Sequence, residues 1–270
     1  CPRRGAPNPR LDAKRRGRHP SSDLLMMVIL ALAVADTLRI GVGSPSVNAA
    51  FMQPHKARVV VERQVGSSWE VAAEWINELT LGDSAGKKVQ RWVTSGTRQQ
   101  PGGTPIKWTI YQTYDQVTLA PYGYYYTSSA GADIRLTMEG NRVRGTRKTP
   151  SDAAAAQVDL TLSEPAWMAG ASDLPPVAAG LSDGKIMVMP VWAPSMPQVE
   201  QRIFTVTGRK SIKVQDKSWD SWVVEERAMR GGTMLLLSTW YMTDKAPYMV
   251  YAEQTSADGT KQRFTEYIVP

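Results

Sequence analysis

From residue 57 to residue 269 the chain repeats one pattern: a short run rich in Val, Ile, Thr, Tyr and Trp, closed by Gly, Asn, Asp or Pro. The runs cover residues 57–64, 69–80, 88–94, 106–114, 122–128, 134–138 and 157–162, then 186–191, 202–206, 211–214, 222–226, 234–242, 248–253 and 262–269. β-Branched and aromatic side chains suit a pleated, half-buried surface, and turn residues at this spacing indicate a mainly antiparallel sheet. Alternation assigns the faces. Ile134, Leu136 and Met138 share one side of a strand against Arg135 and Thr137, and Val158, Leu160 and Leu162 repeat this against Asp159 and Thr161. A period of two places one face on a core and the other in water.

Turn chemistry supports successive hairpins. Gly140-Asn141 separates two such runs, Gly208-Arg209 is expected to turn the chain between 204–207 and 211–214, and Gly231-Gly232 and Asp258-Gly259 precede later strands. Gly and Asn supply the positive φ of tight hairpins. Residues 69–79 fit a strand or an amphipathic helix. Residues 163–184, rich in Ala, Gly and Pro, cannot form a central strand, because their prolines remove ladder donors. They read as a connection with one or two helical turns, lying across an opening of the sheet. The expected fold is mainly β: a curved antiparallel sheet or incomplete β-barrel built from successive hairpins, with a short helical or irregular insertion near 163–184. Residues 51–270 are expected to form a single β-rich domain around one core.

The first fifty residues differ. Arg3, Arg4, Arg10, Lys14, Arg15, Arg16 and Arg18 precede eleven uninterrupted apolar residues at 24–34, and Val47-Asn48-Ala49 follows. A basic flank, an apolar run and a small-residue site compose a secretory signal, and the run is shorter than the roughly twenty residues that span a bilayer. The competing assignment is a short buried helix in an intracellular protein. Of the chain's 32 Lys and Arg and 25 Asp and Glu, residues 1–50 hold eight and three, leaving 24 against 22 for the body. The excess charge therefore belongs to the head and is poor support for a nucleic-acid surface. The expected location is outside the cytoplasm, periplasmic or secreted, with membrane contact only through the N-terminal segment.

Catalytic and metal-binding residue types are sparse. His19 lies in the head, so His55 is the one histidine of the body, and Cys1 is the single cysteine. This excludes Ser-His-Asp and Cys-His arrangements and zinc sites of the usual ligand types. Asp115, Asp159, Asp183, Asp220, Glu225, Glu226 and Glu253 form no paired motif, and Pro101-Gly102-Gly103-Thr104 lacks the lysine and the following helix of a phosphate loop. No cofactor is implied. Nine Trp and ten Tyr stand against three Phe. Such amphipathic rings line clefts for lipids, glycans or hydrophobic metabolites, and they are also ordinary strand residues. Tyr124, Tyr126, Trp222 and Trp240 are the candidate ligand-binding residues.

The stretch 111–267 resembles a bacterial exported family known as domain of unknown function 3108. The carriers are Asp115-Gln-Val-Thr118-Leu119-Ala-Pro121, Gly140-Asn-Arg-Val143-Arg-Gly145, Val206-Thr-Gly208-Arg-Lys, Trp222-Val-Val-Glu225, and Trp240-Tyr241 before Pro247-Tyr-Met-Val250. Asp216-Lys-Ser-Trp219 departs from the family, which often has a Gly before the phrase at Trp222. The resemblance implies a β-rich exported protein and assigns no catalytic residue. The expectation is a non-enzymatic envelope protein of unknown role, with an apolar ligand or partner on its concave face. The alternatives are a module that pairs with another envelope protein through an edge strand and a carboxylate-based glycan enzyme.

Overall fold

The structure is a computed structural model and describes residues 37–100, 102–256 and 258–270. The strands run β1 (Thr37–Arg39), β2 (His55–Val65), β3 (Ser68–Ser84), β4 (Lys87–Arg98), β5 (Ile106–Asp115), β6 (Pro121–Ser128), β7 (Asp133–Glu139), β8 (Arg142–Lys148) and β9 (Ala156–Thr161). After β10 (Trp167–Met168) come a 3₁₀ turn at Ala169–Ala171 and the short helix α1 (Leu174–Ala178). The chain then continues through β11 (Ile186–Trp192), β12 (Glu200–Val214), β13 (Lys217–Arg230), β14 (Thr233–Met242), β15 (Met249–Thr255) and β16 (Lys261–Ile268).

These strands form one open, curved sheet made of two antiparallel meanders, β2–β9 and β11–β16. The meanders are joined where the last strand, β16, pairs with β2, through partners such as Glu266↔Val59 and Phe264↔Val61. β1 and β10 both pair in parallel with β11, on its free side. No ladder joins this edge to β9. A strap crosses instead. Leu162 exchanges hydrogen bonds with Asn141 at 2.8 and 3.0 Å, and Glu164 accepts from Arg39 at 2.6 Å and Gln201 at 2.8 Å.

The segment after the strap fills one end of the curved sheet. Trp167, Met168, Leu174, Val177 and Ala178 pack against inward-facing Leu136, Met138, Met187, Met189, Phe204, Val206 and Val224 in the main core. The indole of Trp167, 1% exposed, donates to the Ile40 carbonyl at 3.0 Å. Helix α1 carries Pro175 and Pro176 right after its first residue, Leu174, tolerated in a first turn whose N–H groups have no intrahelical acceptor, and it ends where Lys185 donates to the Ala179 and Gly180 carbonyls at 2.7 Å each.

Two sequence expectations change. The body begins before residue 51: β1 pairs with β11, and Ile40, Val47, Ala49 and Met52 are buried in the main core. The apolar run at 24–34 lies outside the described residues. Gly208 does not turn a hairpin. It marks a bulge between Val206 and Gly208 inside the long strand β12, and the reversal comes later, at Gln215 (φ 53°) and Asp216. The bulge bends the β12–β13 arm back. Val214, Ile212 and Trp219 meet Tyr241, Val250, Tyr251 and Tyr267 in a second, smaller core. Residues 69–79 are strand, within β3. Among the described residues no helix is long and apolar enough to cross a membrane.

Candidate functional site

The inner face has two halves. At the plugged end, Leu79, Trp92, Tyr114, Leu136 and Met138 are buried against the insertion. Toward the other end, the cross-strand row Val59–Trp75–Gly96–Trp108 and the row Asn77–Thr94–Ile110–Tyr126–Ile134 continue the same face. There Trp75, Trp108, Ile110, Tyr126, Ile134 and Phe264 are only partly buried. Trp75 meets Trp108 at 5.7 Å and Phe264 at 6.1 Å between ring centroids. Gly96 makes this possible, because a Cβ there would run into the Glu74 carbonyl oxygen and the Cβ of Trp75. Several large aromatic side chains therefore lie on this face without being sealed by the protein itself.

Polar groups separate the halves. Glu266, 3% exposed, accepts from Asn77 Nδ2 at 2.8 Å, and Thr94 donates to Asn77 Oδ1 at 2.9 Å. On the opposite strands, Glu226 accepts from Arg202 Nη1 at 2.6 Å and from the Trp240 indole at 3.0 Å. Arg202 also pairs with Glu200, which in turn pairs with Arg230. Asp173, the residue that precedes helix α1, interacts electrostatically with Glu226 and Glu266.

Burial decides the charge states in this layer. Asp173 is pushed up to about 6, chiefly by burial; a hydrogen bond from its own backbone amide opposes this, and the Glu226 charge adds to it. Burial drives Glu266 well above the usual carboxylate range, against the Asn77 hydrogen bond and with a smaller push from Asp173. The Tyr114 phenol rises for the same first reason, with Asp173 and Tyr124 contributing. Its hydroxyl has no hydrogen-bond partner, and neither has Gln112 Nε2. A Cβ on Gly170 of the plug would sit 3.8 Å from that amide nitrogen, so Gln112 lies directly beneath the insertion.

The four candidate side chains divide between the halves. Tyr124 and Tyr126 point inward from β6, and Tyr124, pushed up to about 12 chiefly by burial, packs on the main core. Trp222 also packs on that core, with the Arg209 guanidinium 4.6 Å from its ring centroid. Trp240 belongs to the polar layer through Glu226, and Tyr126 lies in the row of Thr94. Sequence reading passed over Asp173, Glu266, Asn77, Gln112 and Tyr114. For Glu266 a signal existed: it shares the alternation of Phe264 and Ile268, an acid on the apolar face of its strand. Asp115 has a different job. Burial opposes its ionisation, yet bonds from Thr118, Val117 and Tyr122 hold its carboxyl below the usual range and close the β5–β6 turn.

Other concavities lie outside this interior. A groove of about 750 Å³ crosses β5–β8 over Tyr111, Tyr125, Arg135 and Arg144. Its arginines are already paired, Arg135 with Asp133 at 2.9 Å and Arg144 with Asp159 at 3.8 Å. Among the described residues no three His, Cys, Asp or Glu converge to hold a metal ion.

Comparison with known proteins yields structural likeness alone. No family model matches the chain, and no curated protein matches it. A crystal structure of a β-barrel-like protein of domain of unknown function 1849 from Brucella abortus superposes with a TM-score of 0.50 at 11% identity, over 83% of this chain and 100% of that one. A candidate exported protein of YmcC-like fold from Bacteroides fragilis gives 0.34 at 7% identity, over 82% and 97%. The first likeness supports a barrel-like fold. Neither names the 3108 family that the motifs between 111 and 267 resemble.

Proposed function

We propose that this chain is an exported, non-enzymatic β-protein that holds an apolar ligand inside its curved sheet. One observation carries the reading: Trp75, Trp108, Tyr126 and Phe264 face inward yet stay partly accessible, while the insertion 163–184 fills the opposite end. The insertion packs within the main core, and Trp75, Trp108, Tyr126 and Phe264 are not among the residues packed on that core. Burying a hydrocarbon chain against them gains roughly 25 cal/mol per Å² of apolar surface removed from water.

Export is supported by the basic and apolar head. The start of the packed body at β1 adds to this, because the triplet Ala33-Val34-Ala35 stands immediately before it. A signal peptidase accepting small residues there would leave every described residue in place. Edge pairing has less support. The free edges are β1, three residues long, and β9, six residues long and carrying Asp159. Short and charged edges disfavour recruitment of another strand.

The test is titration with diphenylhexatriene, a neutral probe that fluoresces in apolar surroundings. Saturable binding at one site per chain is expected, lost in Ile110→Trp, which fills the space beside Tyr126, with near-UV circular dichroism confirming the fold. A linear, unsaturable signal identical in the variant would remove the reading.

A further inference from the structure

The outer face of the sheet carries a second site, separate from the interior. We propose that the groove across β5–β8 binds a neutral glycan chain, with the Tyr111–Tyr125 pair as the surface on which a sugar ring packs and Gly123 as the trough that admits it.

The rings are held ready and left open. Tyr111 and Tyr125 are cross-strand partners, and alternation turns them away from inward-facing Ile110, Tyr124 and Tyr126. They stack at 5.6 Å between centroids with 15° between their planes, and the Arg135 guanidinium lies 4.9 Å from the Tyr125 ring. Asp133 fixes this stack, accepting from Arg135 Nε at 2.9 Å and Nη2 at 3.1 Å and from the Tyr125 hydroxyl at 3.4 Å. Tyr111 is nevertheless 46% exposed. Side chains ordered in advance lose little freedom on binding. The electron-rich face of such a ring attracts the C–H hydrogens of a sugar.

Gly123 is an independent observation. It sits in the cross-strand row Thr113–Gly123–Thr137–Arg144, beside the row Tyr111–Tyr125–Arg135–Thr146. A glycine inside a strand marks a bulge, a bend, or a place where a ligand or another backbone comes close. Here Gly123 is paired on both sides, and the register of the ladder shifts only beyond it, between Thr113 and Tyr114. A Cβ at Gly123 would meet the Leu136 carbonyl oxygen at 3.7 Å, an ordinary contact. Packing therefore does not require the glycine, and its effect is a trough between two threonines. The groove of about 750 Å³ adjoins another of about 570 Å³ through shared Thr113, Thr137 and Arg144. That second groove reaches Tyr122, whose hydroxyl donates to Asp115 at 3.0 Å. An extended trough with tyrosines toward both ends suits a chain of repeating rings.

The polar groups select the chemistry. The charged side chains lining the larger groove, Arg135 and Arg144, already face Asp133 and Asp159, which leaves little net charge to draw an anion. Thr113, Thr137 and Thr146 supply hydroxyls that both donate and accept, as the hydroxyls of a sugar do. The aliphatic side chain among the lining residues, Leu136, is buried in the main core. The groove thus lacks the apolar centre that a protein partner would cover.

The experiment titrates the protein by isothermal calorimetry with cellohexaose, maltohexaose and N-acetylchitohexaose, three neutral chains, and with hexagalacturonate, an anionic one of equal length. At least one neutral chain is expected to bind saturably, and hexagalacturonate more weakly. Tyr111→Ala is expected to weaken that binding at least about tenfold. Gly123→Val places a residue suited to a strand in the trough and is expected to abolish it. Tyr111→Ala alters an exposed ring and carries the test alone should Gly123→Val fail to fold. Ile110→Trp changes the inner face and should bind the glycan as the parent does, so the two sites stand or fall separately. No binding by any neutral chain up to about 2 mM, tighter binding of hexagalacturonate, or affinity unchanged in the folded variants would each overturn the proposal.

Discussion

Trp240 and Glu226 are joined across neighbouring strands by a 3.0 Å hydrogen bond from the indole to Oε2, while the carboxylate's other oxygen takes Arg202 at 2.6 Å. A carboxylate that is 4% exposed stays on the inner face of the sheet because both its oxygens are satisfied there. The two halves of this arrangement have unequal value. Glu226→Ala leaves Arg202 buried with only Glu200 as partner and should cost about 3–4 kcal/mol in urea unfolding. Trp240→Phe removes a single donor and should cost about 1 kcal/mol.

The interior acids set the pH dependence. Asp173 has a folded-state value near 6, above its unfolded value, so both states are protonated at low pH and its burial carries no penalty there. As pH rises, the unfolded chain loses the proton first, and this contribution is lost progressively up to and through pH 6. Glu266, raised well above its usual range, extends the loss to higher pH. Glu226 and Tyr114 interact electrostatically with Asp173, and Asn77 hydrogen-bonds Glu266. Carboxyls held low by hydrogen bonds, such as Asp115 and Glu62, act in the opposite direction and at more acidic pH. Asp173→Asn is therefore expected to stabilise the protein at pH 7.5 by on the order of 2 kcal/mol and to change little at pH 4. Urea midpoints of both proteins at pH 4, 6 and 7.5 measure this, and parallel curves would contradict it.

Two glycines are required by close approach and one is not. At Gly145 (φ 147°) a Cβ would collide with the Arg135 carbonyl oxygen of β7, and at Gly96 with Glu74 and Trp75 of β3. At Gly41 nothing lies within 4 Å. Gly145→Ala and Gly96→Ala should each cost more than about 2 kcal/mol, and Gly41→Ala less than about 0.5 kcal/mol. Gly96→Ala should also shift the tryptophan emission, because Trp75 must move.

The back-folded β12–β13 arm is held by a small apolar cluster, so it should open locally before the sheet unfolds. Val214→Asp places a charge in that cluster. Trypsin is expected to cut near Lys213 and Lys217 at least tenfold faster in the variant, with the thermal midpoint of the main sheet nearly unchanged. Equal cleavage rates would mean that the arm is not pinned by Val214.

If the head is an export signal, intact mass of the protein isolated from its native envelope should correspond to a chain starting at Asp36. A start at Phe51 would remove β1 and the buried Ile40, Val47 and Ala49.

The strands were legible because the alternation that defines a strand is local. Residues 134–138 and 157–162 show their buried faces in five or six letters, and the turns at Gly140-Asn141 and Gly231-Gly232 lie where expected. The turn expected at Gly208-Arg209 was misplaced for a physical reason. A bulge and a hairpin both use a glycine with positive φ, and only the pairing of β12 with β13 along its whole length distinguishes them. Likewise Thr37–Met52 carries small and apolar residues suited to a leader or to a core. Which of the two it becomes depends on β11, about 150 residues away, offering a free edge.

By its own order of residues the chain determined that it would be a curved antiparallel sheet of successive hairpins with a proline-bearing insertion, since period-two patterning and turn residues act over a few positions. Tertiary structure alone decided that the insertion packs into the main core, that Asp173 comes within electrostatic reach of Glu226 and Glu266, and that Trp75, Trp108 and Phe264 stay only partly buried. Those groups come from β3, β5, β13, β16 and the insertion, and no local rule relates them. Curving the sheet around the insertion is what brings distant, ordinary residues into one buried environment, where burial rather than sequence sets their protonation and leaves Tyr114 without a partner.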